Sequence, residues 1–256
     1  MPDLLKGQLC LILGVANKWS LAYAVAEAFS REGADIVLGY MAEQQRDSVE
    51  ALCKDFNVLD MVACDVTKDE EITAMGKMLA RYGRPLQAVV HSLAFANRED
   101  LARPFVETRR EGFLLAQNVS AYSLVAVARA TAPLMTNGGS IITMSYLGAT
   151  RVVPMYNVMG VAKAALESSV RYLAADLGSR NIRVNAISAG PVKTASARAI
   201  KDFPTLMSTT ADRSPLQRNT EPSEVADTAV FLASNLGRGL TGNVLFVDAG
   251  MHILGM

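Results

Sequence analysis

The chain has 256 residues, half of them hydrophobic, and its 25 basic side chains balance 25 acidic ones. That is enough chain to bury a sizeable core without staples, and the balance excludes a global basic field for nucleic acid or an anionic membrane. Three cysteines with no CxxC spacing and two histidines, His91 and His252, argue against a disulfide framework or a metal centre; no signal segment is evident and no apolar run approaches the roughly 18 residues of a membrane span, so a cytoplasmic protein that does not cross a membrane is expected.

Strands and helices alternate along the chain. Leu9–Leu13 is continuously apolar and ends at Gly14, which fits a parallel strand covered on both faces. Residues 20–32 carry apolar side chains at helical spacing and close at Gly33. The pattern then predicts a strand over 35–38, a helix over 42–54, a strand over Val58–Ala63, an amphipathic helix over 68–81 and a strand over Leu86–His91. A long helix follows over 111–135, then a strand over 140–144, a second long helix over 156–177 and a strand over 182–187. Residues 222–234 form a helix introduced by a proline, and Val244–Val247 is a last strand. Repeats of this size are those of right-handed crossover units. They predict an α/β fold: a single doubly wound, Rossmann-type parallel sheet with helices on both faces, in one domain spanning 1–256. Two irregular stretches, about 92–110 and 189–220, both follow apolar strands. They fall outside the carboxyl ends of the sheet, where open α/β sheets bind ligands.

The first turn, Gly14-Val15-Ala16-Asn17-Lys18-Trp19-Ser20, has one glycine where a dinucleotide fingerprint has three. Backbone N–H groups at the following helix start could hold a pyrophosphate, with Ser20 adding a bond; Ser20 is equally an ordinary N-cap. Tyr40 and Met41 stand at the end of the second strand, where a carboxylate for a ribose diol is usual. The nearest cation for a 2′-phosphate is Arg46, which leans toward NADH over NADPH. Asp65, ending the third strand, can accept from an adenine amino group or cap the turn before Thr67. The more telling pair is Tyr156 with Lys163, two turns apart on one helix face. An ammonium near a phenol favours donation or release of its proton. Tyr146 is expected in the loop after the fifth strand, facing the same region.

The segments LGVANKWSLAYAVA, ACDV, VVHSLAFA, RREGF, MSYLGATRVVPMYNVMGVAKAALE, RVNAISAGPVKTASA and NVLFVDAG together resemble the NADH-dependent enoyl-[acyl-carrier-protein] reductases, a divergent branch of the short-chain dehydrogenase/reductase superfamily. The likeness runs from Lys6 to Gly250. Tyr146, Tyr156 and Lys163 carry its spacing. GVANKWS, HSLA and Thr143 stand where an ordinary short-chain dehydrogenase has its glycine turn, its NNAG and its serine, which argues against a carbonyl reductase.

The resemblance implies reduction of a trans-2-enoyl thioester by NADH. It implies catalytic roles for Tyr146, Tyr156 and Lys163. Gly14, Ala16, Ser20 and Leu21 would line the pyrophosphate turn, and Asp65 and Val66 would hold adenine. Ser92, Leu93 and Ala94 would run under the cofactor, Lys163 would hold the nicotinamide ribose, and Pro191, Val192 and Thr194 would flank the nicotinamide. Tyr146, Tyr156, Met159, Ala197, Phe203 and Met207 would border the acyl chain. Ala94 departs from the glycine frequent in the family. The resemblance also implies an acyl carrier protein as partner and a homo-oligomer, expected as a tetramer.

Residues 192–219 read as a substrate lid. From Lys193 to Arg218 five basic residues (Lys193, Arg198, Lys201, Arg213, Arg218) face Asp202 and Asp212, a charge excess that is either a solvated face or a dock for an acidic carrier. The apolar tail from Gly250 is expected to pack on its own core or on another subunit.

Overall fold

The computed structural model describes residues 3–193 and 203–255. Seven parallel strands form one sheet in the order β3-β2-β1-β4-β5-β6-β7. They are β1 (Leu9–Leu13), β2 (Asp35–Tyr40), β3 (Val58–Ala63), β4 (Leu86–His91), β5 (Gly139–Tyr146), β6 (Ile182–Ala189) and β7 (Val244–Val247). The helices are α1 (Leu21–Arg31), α2 (Arg46–Leu52), α3 (Asp69–Ala80), α4 (Arg98–Ala102), α5 (Arg110–Gln117), α6 (Ser123–Thr131), α7 (Asn157–Leu177), α8 (Phe203–Arg213) and α9 (Pro222–Ala233).

Continuous apolarity in the central strands has a simple cause, since alternate side chains point to opposite faces and both faces are covered. In β1, Cys10 and Ile12 enter one core with Val25 and Phe29 of α1 and Val225 and Ala229 of α9. Leu9, Leu11 and Leu13 enter the other, with Ile72 and Met75 of α3, Leu124 of α6 and Leu166 and Val170 of α7. Truncating one of these fully buried leucines to alanine should cost about 2–5 kcal/mol.

Several elements differ from the sequence expectation. The long helix over 111–135 is α5 and α6 separated by a π turn at Asn118–Tyr122. There Ser120 bonds both the N–H and the carbonyl of Phe95, at 3.0 and 3.2 Å. The turn thereby ties this helical segment to the loop after β4. That loop is not wholly irregular, because it contains α4. Likewise the stretch after β6 contains α8. The helix after β2 starts as a 3-10 turn at Glu43–Gln45, and β2 runs on to Tyr40. Among the described residues no helix is long and apolar enough to cross a membrane.

The strand order reverses between β1 and β4. The chain winds outward through β2 and β3, crosses back by α3, and resumes at β4 on the other side of β1. Loops leaving β1 and β4 therefore part in opposite directions and leave a crevice at their carboxyl ends, the position where doubly wound sheets take ligands.

Candidate active site

The floor of the crevice is set by Gly14. Its φ is +102°, and a Cβ there would lie 2.2 Å from the Ser92 carbonyl oxygen and 3.2 Å from a Leu93 methyl. Only glycine lets the end of β1 approach the end of β4 this closely. Ser92 ties the two ends together by donating its N–H to Leu13 O at 3.2 Å. Ala94 is exposed beyond it, and half-exposed Phe95 is held by Ser120.

Ser20 is the N-cap of α1. Its Oγ accepts from Tyr23 N–H at 3.3 Å and donates to Asn17 O at 2.7 Å. Its hydroxyl proton is thus spent within the turn, and the capping reading is the one the geometry shows. The N–H groups of Leu21 and Ala22 have no acceptor among the described residues. They are the unsatisfied first-turn donors that suit an anion. Ala16 lies in the turn between them and Gly14. At the third strand end, Asp65 Oδ1 accepts from Thr67 N–H and Oγ1 at 3.0 and 2.8 Å. Burial alone would raise the Asp65 carboxyl, but bonds from Thr67 and Lys68 hold it below its ordinary value. One carboxylate oxygen therefore caps a turn, as the alternative reading had it; Oδ2 lies 3.5 Å from Lys68. Val66 is buried beside it. Past β2, Met41 is 65% exposed, and Arg46 lies 3.5 Å from Glu43, which also accepts from the Tyr40 hydroxyl at 3.0 Å.

The chemistry-bearing side chains collect where β5 faces α7. Tyr146 is the last residue of β5, not a loop residue as expected. The strand runs on because Met144 and Ser145 are buried and pair with β6. Tyr156 is the N-cap of α7, between Met155 (φ 62°) and Asn157 (φ 36°), two left-handed non-glycine residues. Backbone strain of this kind persists only where surroundings enforce it. Asn157 supplies that restraint, donating to the carbonyls of Leu101 and Arg103 at 2.8 and 2.7 Å. The Tyr156 ring meets Tyr146 edge-on at 4.9 Å and lies against Gly148, where a Cβ would be 2.4 Å from Tyr156 Cδ1. Met159 is buried one turn on, in a small apolar cluster with Leu101, Ala116, Val158 and Ala162 that Tyr156 packs against.

Lys163 is buried, and its Nζ donates to Met144 O at 2.7 Å. Its two further N–H donors have no acceptor among the described residues, which fits a ribose diol as partner. Burial pulls the Lys163 ammonium down to about 8, with Glu167 pulling the other way. Burial pushes the Tyr146 phenol up to about 12, with Asp248 adding, and lifts Tyr156 well above the ordinary phenol range, with Tyr146 and Glu167 adding. Both phenols therefore keep their protons at neutral pH. The structure retains the donating half of the sequence expectation and corrects the releasing half, because the ammonium turns to Met144 O and burial dominates the phenol. Neither hydroxyl has a hydrogen-bond partner among the described residues.

At the far rim, a Cβ on Gly190 would strike Thr220 Oγ1 at 2.5 Å, which fixes the end of β6 against Thr220 and Asp248. Pro191 and Val192 are buried there. Thr194, Ala197, Arg198 and Lys201 lie outside the described residues. Phe203 opens α8, and Met207 is half-buried on it. Arg218 is bound twice by Glu224, at 2.9 and 2.6 Å, which removes one cation from the basic run.

Sequence reasoning passed over four parts of this site. Gly148 seats the Tyr156 ring. Ser145 donates to buried Glu167 at 2.5 Å. His91 is fully buried, 2.9 Å from Thr143 Oγ1 and 2.8 Å from Ser123 Oγ, and burial pushes it down to about 3. Ser120 sits in the π turn. A polar residue in an apolar run, as His91 is in LQAVVH, was the signal available in the sequence.

A family model described as enoyl-(acyl carrier protein) reductase matches residues 14–252. The NADH-dependent enoyl-[acyl-carrier-protein] reductase of Bacillus cereus is 49% identical over 255 residues, 99% of this chain and 100% of that one. The NADPH-dependent enzyme of Staphylococcus aureus is 45% identical over 252 residues, 98% of each. The crystal structure of the Bacillus cereus reductase with NADP+ and an indole naphthyridinone superposes with a TM-score of 0.97 over 99% of both chains. With a crevice at the reversal of strand order, a pair of contacting tyrosines where β5 meets α7, a buried lysine on that helix, and matches over nearly its full length, this chain belongs to the enoyl-(acyl carrier protein) reductase family of the short-chain dehydrogenase/reductase superfamily.

Proposed function

We propose that the protein reduces the carbon–carbon double bond of trans-2-enoyl-[acyl-carrier-protein] thioesters with NADH, the last reductive step of fatty acid elongation. The observation that carries this reading is the pair of proton-bearing tyrosine hydroxyls, without partners among the described residues, where the end of β5 meets α7, the helix that also carries buried Lys163. When bound, NADH supplies the hydride that the β-carbon of the enoyl thioester accepts. The double-bond electrons then move toward the thioester carbonyl, and negative charge collects on its oxygen. Tyr156 donates its hydroxyl proton in a hydrogen bond to that oxygen, which strengthens as charge develops and so lowers the barrier. Proton delivery to the α-carbon, ultimately from solvent, completes addition of two hydrogens.

Tyr146 supports the Tyr156 ring edge-on and shapes the acyl channel with Met159 and Met207. Lys163 turns its two remaining donors to the nicotinamide ribose. Gly14, Ala16 and the free N–H groups of Leu21 and Ala22 receive the pyrophosphate, with Ser20 organising the turn. Asp65 and Val66 border the adenine, Ser92, Leu93 and Ala94 pass beneath the cofactor, and Pro191, Val192 and Thr194 flank the nicotinamide.

Residues 192–219 serve as the lid for the acyl chain, and Ala197 and Phe203 are assigned to its border. Its basic side chains dock an acidic acyl carrier protein, a role left to Lys193, Arg198, Lys201 and Arg213 once Arg218 is bound to Glu224. The chain self-associates, as a tetramer, through the α5–α7 layer, where Leu114, Tyr122 and Tyr172 are 58, 45 and 74% exposed. In the tail, His252 stacks on Phe246 of its own chain at 4.1 Å, while Ile253 is exposed for a neighbouring subunit. Cys10, Cys53 and Cys64 are free, buried thiols, which suits the reducing cytoplasm.

NADH oxidation measured in parallel with a crotonyl-type enoyl thioester and a ketoacyl thioester, with product analysis, tests the reaction. A saturated acyl product from the enoyl substrate is expected. A hydroxyacyl product, formed from the ketoacyl substrate alone, would replace this reading with a carbonyl reductase.

A further inference from the structure

Glu167 is a carboxylate to which the mechanism above gives no task. It lies on α7 one turn after Lys163 and is 6% exposed. Carboxylates are almost never buried this far unless paired, yet its hydrogen-bond partner is the neutral Ser145, and it forms no ion pair among the described residues. A glutamine would fill the same space and accept the same hydroxyl at a lower desolvation cost. The charge is what a glutamine lacks.

The surroundings say what the charge faces. Three consecutive residues at the end of β5 each hold a different part of α7. Met144 O takes Lys163 Nζ at 2.7 Å, Ser145 Oγ donates to Glu167 Oε1 at 2.5 Å, and the Tyr146 ring meets Tyr156. The Ser145–Glu167 separation lies in the short range typical of O–H···O⁻ bonds, the contact an ionised carboxylate makes with a hydroxyl. Positions 163 and 167 are neighbours on one helix face.

We propose that Glu167 is a positioning residue for Lys163: anchored by Ser145, its carboxylate keeps the buried ammonium charged and directed, and so preserves the cation that grips the dinucleotide. The proposal rests on the reading above that Lys163 holds the cofactor ribose. Burial works to discharge Lys163 and Glu167 opposes it. In the reverse direction burial raises the Glu167 carboxyl, while Ser145, Arg171 one turn further along α7, and Lys163 each favour its ionised form. The other titratable groups facing the pair are His91 of β4, which burial keeps neutral, and Tyr156, which Tyr146 of β5 touches.

The test titrates Lys163 in cofactor-free protein labelled with ¹³C-lysine, the resonance being assigned by its loss in Lys163→Met. Glu167→Gln should lower the Lys163 midpoint by roughly one pH unit. The alkaline limb of NADH affinity should move down by the same amount, with affinity at pH 6 close to the parent. Glu167→Asp, which keeps the charge, should restore most of the shift. An unchanged Lys163 midpoint in Glu167→Gln, or a loss of NADH affinity equal at every pH, overturns the proposal. If Glu167→Gln does not fold, Ser145→Ala removes the anchor and leaves the carboxylate. A smaller downward shift is then expected, and an unmoved midpoint again overturns the idea. Absence of enoyl-thioester turnover in the parent would count against the assigned reaction, whereas the Lys163 midpoint decides this proposal by itself.

Discussion

Replacing Gly148 with alanine probes the seat of Tyr156 without touching any polar group of the site. The added methyl would lie 2.4 Å from Tyr156 Cδ1 and 2.8 Å from Cε1, where ordinary contacts begin at 3.4 Å. One of the two must therefore yield by about 1 Å. The Gly148 backbone cannot retreat freely, because its carbonyl is already close to Gly160, where a Cβ would lie 2.9 Å from that oxygen. The ring is the part that moves, and it moves off the edge-on contact with Tyr146. Overpacking of this kind costs about 1–3 kcal/mol of stability. A displacement of about 1 Å at a group that must meet a developing charge costs on the order of 10²-fold in rate. Steady-state kinetics with a crotonyl-type thioester should therefore show kcat reduced by roughly two orders of magnitude. NADH affinity by fluorescence titration should stay near the parent value, because Lys163 and the β1–β4 crevice are untouched. A kcat within about twofold of the parent, in a protein whose thermal midpoint had fallen as expected, would refute the claim that the ring position limits the reaction.

Tyr156→Phe keeps the ring and deletes the donor; kcat should fall about 10²–10³-fold with NADH affinity unchanged, and Tyr146→Phe should cost less, so equal losses would contradict the division of roles. Lys163→Met should weaken NADH binding together with turnover. Burial pulls the Lys163 ammonium down to about 8, so under the proposed ribose role NADH affinity in the parent should fall as pH rises through about 8; a flat profile from pH 7 to 9 would remove Lys163 from the ribose. NADH should be preferred to NADPH while Glu43 occupies Arg46, and Glu43→Ala, by freeing that cation, should raise kcat/KM for NADPH selectively. His91 has a folded pKa near 3 against an ordinary 6.5, so between those values the unfolded chain binds the extra proton and stability drops as pH falls; His91→Leu should flatten the decline in thermal midpoint from pH 6.5 to 5, before carboxylates titrate.

Much of the architecture can be read from pattern because burial on both faces of a parallel sheet forces it into the sequence. Leu9–Leu13, Leu86–His91 and Val244–Val247 are bounded as their apolar runs predict, and Ser20 caps α1 where its position before LAYAVA indicates. Tyr146 and Tyr156 likewise meet in space, with Lys163 on the same helix as Tyr156, since a strand end and the helix that follows it stay neighbours along the chain. What hydropathy does not carry is the environment of a polar side chain. Ser145 and Tyr146 look like the start of a loop, yet pairing with β6 buries Ser145 and keeps both in the strand. Residues 111–135 look like one helix until Ser120 meets Phe95, 25 positions away in sequence, across a π turn. The ionisation of the site has the same origin. Local sequence sets a lysine beside a tyrosine and suggests an easy proton. The packed interior raises the phenol, lowers the ammonium and supplies Glu167 and Gly148 from the same strand–helix junction, because desolvation and close contact are properties of what surrounds a group in three dimensions.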